Sequence, residues 1–129
     1  MIAPRTTPCM SDGIMMVQTT LPGEMNEADL GQWCQGLIDS NLAACIDMRK
    51  VRSIFRWKEE TVSEFEWQVQ MTSPVTAKDS LVSTIKSTHP YDVPEITWWP
   101  VEAIQEYSEW VNKIQTCLLY TSPSPRDRG

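Results

Sequence analysis

Between residues 64 and 71 the chain alternates without a break: Phe65, Trp67, Val69 and Met71 interleave with Glu64, Glu66, Gln68 and Gln70. Successive side chains of a strand point to opposite faces, so this run predicts a strand with one apolar and one solvated side. A second alternation precedes it from Ala43 to Trp57, with Val51, Ser53, Phe55 and Trp57 on one side and Arg52, Ile54 and Arg56 on the other. The two runs meet around Glu59 and Glu60 and predict an antiparallel hairpin. Both are long beside the usual strand of about 5–6 residues. Their excess length and aromatic content would leave an exposed edge and a Trp-rich surface. Pairing with another chain removes such an edge, so a symmetric oligomer is expected.

The remaining elements follow from periodicity and punctuation. Ile14 to Thr20 reads as a first strand, buried on both faces through Met15, Met16 and Val17. Asn26 with Asp29 offers a helix cap, and Leu30, Trp33, Cys34, Leu37 and Ile38 form the apolar stripe of a helix ending near Ser40. After the hairpin, Ser73 as cap and Pro74 as first helical residue predict a second helix with Ala77, Leu81, Val82 and Ile85 on its core side. That helix must stop before His89, because Pro90 disfavours helical geometry in the residue before it. Pro94 acts likewise on Val93, so His89 to Glu95 is expected to be a rigid extended connection. Ile96 to Trp99 reads as a short strand ended by Pro100. A last helix is expected over Ala103 to Gln115, with Ile104, Tyr107, Val111 and Ile114 inward. The order β-α-β-β-α-β-α fits an α+β domain: a four-stranded antiparallel sheet with two helices on one face, the split βαβ arrangement, plus an added helix.

The 129 residues suit one domain, expected over residues 14–115. Met1 to Gly13 lacks periodicity and reads as a flexible extension, with Met10 an alternative start. At the other end, Cys117 to Asp127 is identical to a transposase sequencing adapter translated in one frame. Residues 116–129 are therefore expected to be a non-native or disordered tail. A net charge of −6 gives no broad positive field for a phosphate backbone, so nucleic acid is not an expected partner. The basic run Arg49, Lys50, Arg52, Arg56, Lys58 reads as a solvated strand face. With no apolar run near the roughly 20 residues of a membrane helix, and no h-region at the start, a soluble cytoplasmic protein without membrane partners is expected. Cys9, Cys34, Cys45 and Cys117 show no metal-binding or disulfide spacing, and Cys34 and Cys45 read as buried reduced thiols.

Four segments together resemble the CutA divalent-cation-tolerance family: NLAAC at Asn41 to Cys45, SIFRWKEE at Ser53 to Glu60, SEFEWQV at Ser63 to Val69 and THPYDVPEI at Thr88 to Ile96. The likeness spans about 100 residues in the correct order, and the combination is far more specific than HPY alone. It implies a ferredoxin-like fold, a tight homotrimer in which long hairpins extend neighbouring sheets, much like signalling trimers of the PII type, and a link to tolerance of copper and other divalent cations. In some bacterial members a cysteine at the exit of the first strand and two histidines before the proline are associated with metal binding. Thr19, Thr88 and His89 stand at those positions, and threonine is a poor ligand for copper or zinc. Thr72 replaces a frequent lysine at the end of the third strand.

His89 is the only histidine and the one candidate metal ligand, for a divalent cation such as copper; its alternative role is to end the preceding helix. Tyr91 and Glu95 share its rigid segment, while Glu64 and Glu66 lie on the polar side of the hairpin, with Trp57 as a candidate wall. If the hairpin approaches that segment across a subunit boundary, these groups converge in a cleft suited to a small ligand. No nucleophile–base pair and no glycine-rich phosphate loop is legible, so no catalytic and no cofactor-binding residues are expected. The favoured expectation is a non-enzymatic trimer for metal tolerance that binds a small ligand or cation weakly. Two alternatives stand beside it: an enzyme using His89 with Glu66 or Glu95, and a structural or chaperone-like trimer whose assembly depends on Trp57 and Trp67.

Overall fold

The hairpin forms as its alternation predicts, and a computed structural model describes it within residues 13–115. Expectations for the N-terminal extension and the tail lie outside the described residues. In chain order the elements are β1 (Ile14–Pro22), α1 (Glu27–Asp39), β2 (Cys45–Trp57), β3 (Glu60–Pro74), a 3-10 turn (Val75–Ala77), α2 (Lys78–Thr88), β4 (Ile96–Val101), α3 (Gln105–Asn112) and a 3-10 turn (Lys113–Gln115). The strands make one sheet in the order β2-β3-β1-β4, every pair antiparallel, which is the ferredoxin-like split βαβ topology.

Period-2 alternation divides the sheet into two unlike sides. Met15, Val17 and Leu21 of β1 and Val69 and Met71 of β3 meet Leu30, Cys34 and Leu37 of α1 and Leu81 and Ile85 of α2 in one apolar core. Burial pushes the Cys34 thiol up to about 11, in keeping with an unreactive buried thiol, and neither Cys34 nor Cys45 is in a disulfide. Ile14 points to the side opposite Met15, where it packs with Trp110 and Val111 of α3. The third helix thus covers one end of the second side and leaves the rest of it open.

Helix α1 shows how the NLAAC signature works. Asn26 Oδ1 accepts from the Asp29 amide at 2.8 Å and caps the start. At the end, Asn41 takes φ 61°; its amide reaches the Ile38 carbonyl and that of Leu42 reaches Leu37. This is a Schellman ending with asparagine in the left-handed position, and it delivers Ala43 into the core.

Several sequence expectations are corrected. Ser73 and Pro74 are the buried end of β3, paired with Met15 and Ile14; the Ser73 hydroxyl donates to the Leu42 carbonyl, and α2 starts at Lys78 after a 3-10 turn. Strand pairing and that buried acceptor outweigh the local cap signal. Ile38 is exposed, beyond the edge of the α1 stripe. Strand β4 continues through Pro100 to Val101, which an edge strand permits because a proline there need not break the ladder. Helix α3 begins only at Gln105; Ile104 is 70% exposed, and Trp110 with Val111 forms the inward face. Finally, β1 ends at Pro22 opposite Glu66, so the hairpin beyond that pair is only two strands wide. Phe65, on the apolar side of the alternation, is 55% exposed there, its ring lying under the Arg52 guanidinium at 4.3 Å.

Candidate functional site

The site grows from the place where β1 outruns β4. Their pairing stops at Thr19 opposite Ile96, which leaves β1 an open edge at Thr20. Pro90 halts α2, and His89 turns extended at φ −79°, ψ 138°, so the chain crosses at that edge. His89 faces the helix-covered side, with its Nε2 3.0 Å from Thr19 Oγ1. Two residues later Tyr91 has reached the open side, where its hydroxyl donates to Glu66 Oε2 at 2.7 Å. Its backbone amide donates back to His89 Nδ1 at 3.2 Å, and the two rings lie 5.2 Å apart. Glu95 closes the segment, its Oε2 accepting from Gln18 Nε2 at 2.8 Å; Gln18 in turn accepts from Gln70 at 2.7 Å.

These crossings make a cleft of about 780 Å³ between the hairpin stem and the 90–95 segment. Trp57, Glu64, Glu66, Tyr91 and Glu95 all line it, so five of the six residues singled out from sequence converge. His89 is the exception and stands behind the wall. Phe55, Val62 and Asp92 line it as well. Phe55 was legible as the β2 neighbour of Trp57 on the same side. Gln18, which holds Glu95, could be found only once β1 and β4 were paired.

Glu66 departs most from its sequence reading. Placed on a solvated face by alternation, it is only 6% exposed, because Tyr91 and the crossing segment cover it. Among the described residues it has no ion-pair partner, the single ion pair being Lys78 with Asp79. Burial and the Glu66 carboxylate push the Tyr91 phenol well above its ordinary value of 10, so it remains a neutral donor.

The three positions tied to metal binding in some relatives separate. Thr19 meets His89, but Thr88 Oγ1 accepts from Trp33 Nε1 at 2.9 Å and donates to the Thr84 carbonyl at 2.8 Å. Both ring nitrogens of His89 are engaged, Nδ1 as an acceptor from the Tyr91 amide and Nε2 toward the Thr19 hydroxyl. Burial holds the imidazole below its ordinary 6.5, with a hydrogen bond to the Thr20 backbone and the Glu66 charge pulling the other way. Among the described residues no three His, Cys, Asp or Glu side chains group as metal ligands. Among the described residues no thiol or imidazole lines the cleft, and its residues do not fit a tight copper centre. No helix among the described residues is long and apolar enough to cross a membrane.

Comparison with known proteins agrees with this architecture. Residues 15–114 match the family described as CutA1 divalent ion tolerance protein. A probable divalent-cation tolerance protein cutA homolog of Encephalitozoon cuniculi is 32% identical over 93 residues, 71% of this chain and 79% of its own. The divalent-cation tolerance protein CutA of Thermus thermophilus is 31% identical over 100 residues, 76% of this chain and 94% of its own. The solved structure of CutA from Synechococcus elongatus superposes with a TM-score of 0.74 at 24% identity, covering 83% of this chain and 94% of that one, and so shares the fold. With the family signature matched over nearly all of the described residues, the chain belongs to the CutA1 divalent ion tolerance family.

Proposed function

We propose that this protein acts as a non-catalytic cytoplasmic homotrimer in divalent-cation tolerance, taking a small ligand or cation weakly at clefts near subunit boundaries. The observation that carries this reading is the convergence of Trp57, Glu64, Glu66, Tyr91 and Glu95 on one cleft. Family membership supplies the cation-tolerance context. Assembly is supported by the hairpin projecting past β1 and by two sheet edges, β2 and β4, with Ile54, Trp98 and Trp99 exposed along them. Trp67 does not belong to that surface: its indole N–H donates to the Met25 carbonyl at 2.9 Å and its ring packs on the chain's own core.

Weak rather than tight cation binding follows from the donors, which are carboxylates and a neutral phenol. The alternative of an acid–base pair of His89 with Glu66 or Glu95 is less favoured, since His89 does not line the cleft that holds both carboxylates. Analytical ultracentrifugation and calorimetry test the proposal together. A trimer mass and micromolar or weaker heats with zinc or copper, reduced by Glu66→Gln, are the expected results. A stable monomer at micromolar concentration would refute the assembly.

A further inference from the structure

The cleft is shaped for something larger than an ion. Its volume of about 780 Å³ lies within the range of about 300–1,000 Å³ typical of pockets for organic molecules. Its lining combines four carboxylates, Glu64, Glu66, Asp92 and Glu95, with the aromatic rings of Phe55 and Trp57, and among the described residues no lysine or arginine lines it. Glu66 is the most demanding member. It is more than nine-tenths buried against the cleft, and its one hydrogen bond comes from the neutral phenol of Tyr91. A carboxylate so placed is stabilised by a positive partner within reach, and among the described residues of the chain the lining offers none.

From this geometry we infer that the cleft selects a protonated organic amine with an apolar body, the ammonium directed to Glu66 and the body laid against Phe55 and Trp57. This inference rests on the cleft reading above and names the class of its ligand. A bare divalent ion would find no group of three ligands among the described residues and would leave the aromatic walls without use. An anion would meet four like charges, and a neutral molecule would leave Glu66 without a counter-charge. Attraction of a cation to an aromatic face adds to the preference, and Trp57 already shows it: the Lys58 ammonium stands 5.7 Å from its ring centroid without lining the cleft.

The test is titration of the full chain with phenethylamine and with putrescine, alongside phenylpropionate, 2-phenylethanol and zinc, read by calorimetry and indole fluorescence. Phenethylamine should bind at least tenfold more tightly than 2-phenylethanol, and phenylpropionate should give no heat. Glu66→Gln should weaken the amine tenfold or more while near-ultraviolet dichroism and oligomer mass stay unchanged. Trp57→Phe should weaken phenethylamine several-fold more than putrescine. Equal binding of amine, alcohol and acid, or amine binding insensitive to Glu66→Gln, overturns the inference. If zinc binds in a Glu66-dependent way and neither amine does, the ligand class is wrong while the cleft reading stands. If nothing binds, both fall.

Discussion

The two sides of the sheet are built from alternate residues of the same strands, yet they do different work. On the helix-covered side Val17, Leu21, Val69 and Met71 are wholly buried among α1 and α2. On the other side their immediate neighbours Gln18, Gln68 and Gln70 are half-buried and polar: Gln70 donates to Gln18, Gln18 to Glu95, and Gln68 accepts from Arg49. Burial of apolar area is non-directional and roughly proportional to area, so the first side supplies stability with little demand for geometry. The second supplies oriented donors and acceptors with little burial, and it is there that the cleft forms. One strand therefore carries a fold face and a function face one residue out of step.

Adjacent residues of β3 offer the sharpest way to break this division. Met71→Ala should cost about 2–5 kcal/mol, the usual range for emptying a filled core site. Gln70→Ala, one residue earlier, should cost only about 1 kcal/mol, the net worth of a partly exposed hydrogen bond. Chemical denaturation at one fixed protein concentration measures both, which matters because association shifts apparent stability. Similar losses at the two positions would mean that the open side is also a packed core.

Gly23 tests where the two sides join. A Cβ there would lie 2.3 Å from the Phe65 carbonyl oxygen, a backbone atom with no freedom to withdraw. Gly23→Ala should therefore force β1 away from β3 beside the Pro22–Glu66 pair and cost about 1–3 kcal/mol. Because the displaced pair includes Glu66, cleft binding should weaken along with the melting temperature. Loss of stability with unchanged binding would show that the cleft does not depend on this register.

The hairpin turn belongs to neither side and should respond more weakly. Lys58 and Glu59 both hold positive φ, 52° and 67°, the pattern of a two-residue turn that favours Asn-Gly. Glu59→Gly should raise stability by about 1 kcal/mol, the cost a side chain bears in the left-handed region. Lys58→Asn should gain less, since it also removes the ammonium from above Trp57. A fall in melting temperature for Glu59→Gly would place the Glu59 side chain in a contact that offsets its strain.

Most of the fold was legible because its signals are local: the β3 alternation, the Asn26 cap and the two prolines around Tyr91 each act within a few residues. The misreadings share the opposite cause. Ser73 looks like a helix cap but is claimed by the Leu42 carbonyl 31 residues away. Glu66 sits in an alternation that assigns it to water, and only a segment 25 residues later buries it. Phe65 obeys the same alternation but lies beyond the last β1 pair, which no local pattern reveals. The cleft residues could be named from the sequence, whereas their convergence depends on β1 outrunning β4, a property of register between strands more than 70 residues apart.

His89 joins the two sides, and its titration should give the smallest effect, since the ring is only partly buried and water screens what remains. Its folded pKa lies below the ordinary 6.5, chiefly through burial. Between the folded value and 6.5 the unfolded chain binds more protons than the native one, so stability rises with pH across that window. Acidification from pH 7 should therefore lower the melting temperature once it passes about 6.5, and the loss should level off below the folded pKa. A His89→Gln variant should lack this step, the loss that sets in as the pH falls through about 6.5. The groups facing the ring are Thr19, the Thr20 backbone, Tyr91 and the more distant Glu66, and only Glu66 opposes the shift by its charge. Glu66→Gln should accordingly enlarge the step. A step of unchanged size in that variant would mean that the buried carboxylate and the imidazole do not sense each other, and that the crossing segment insulates the two sides rather than linking them.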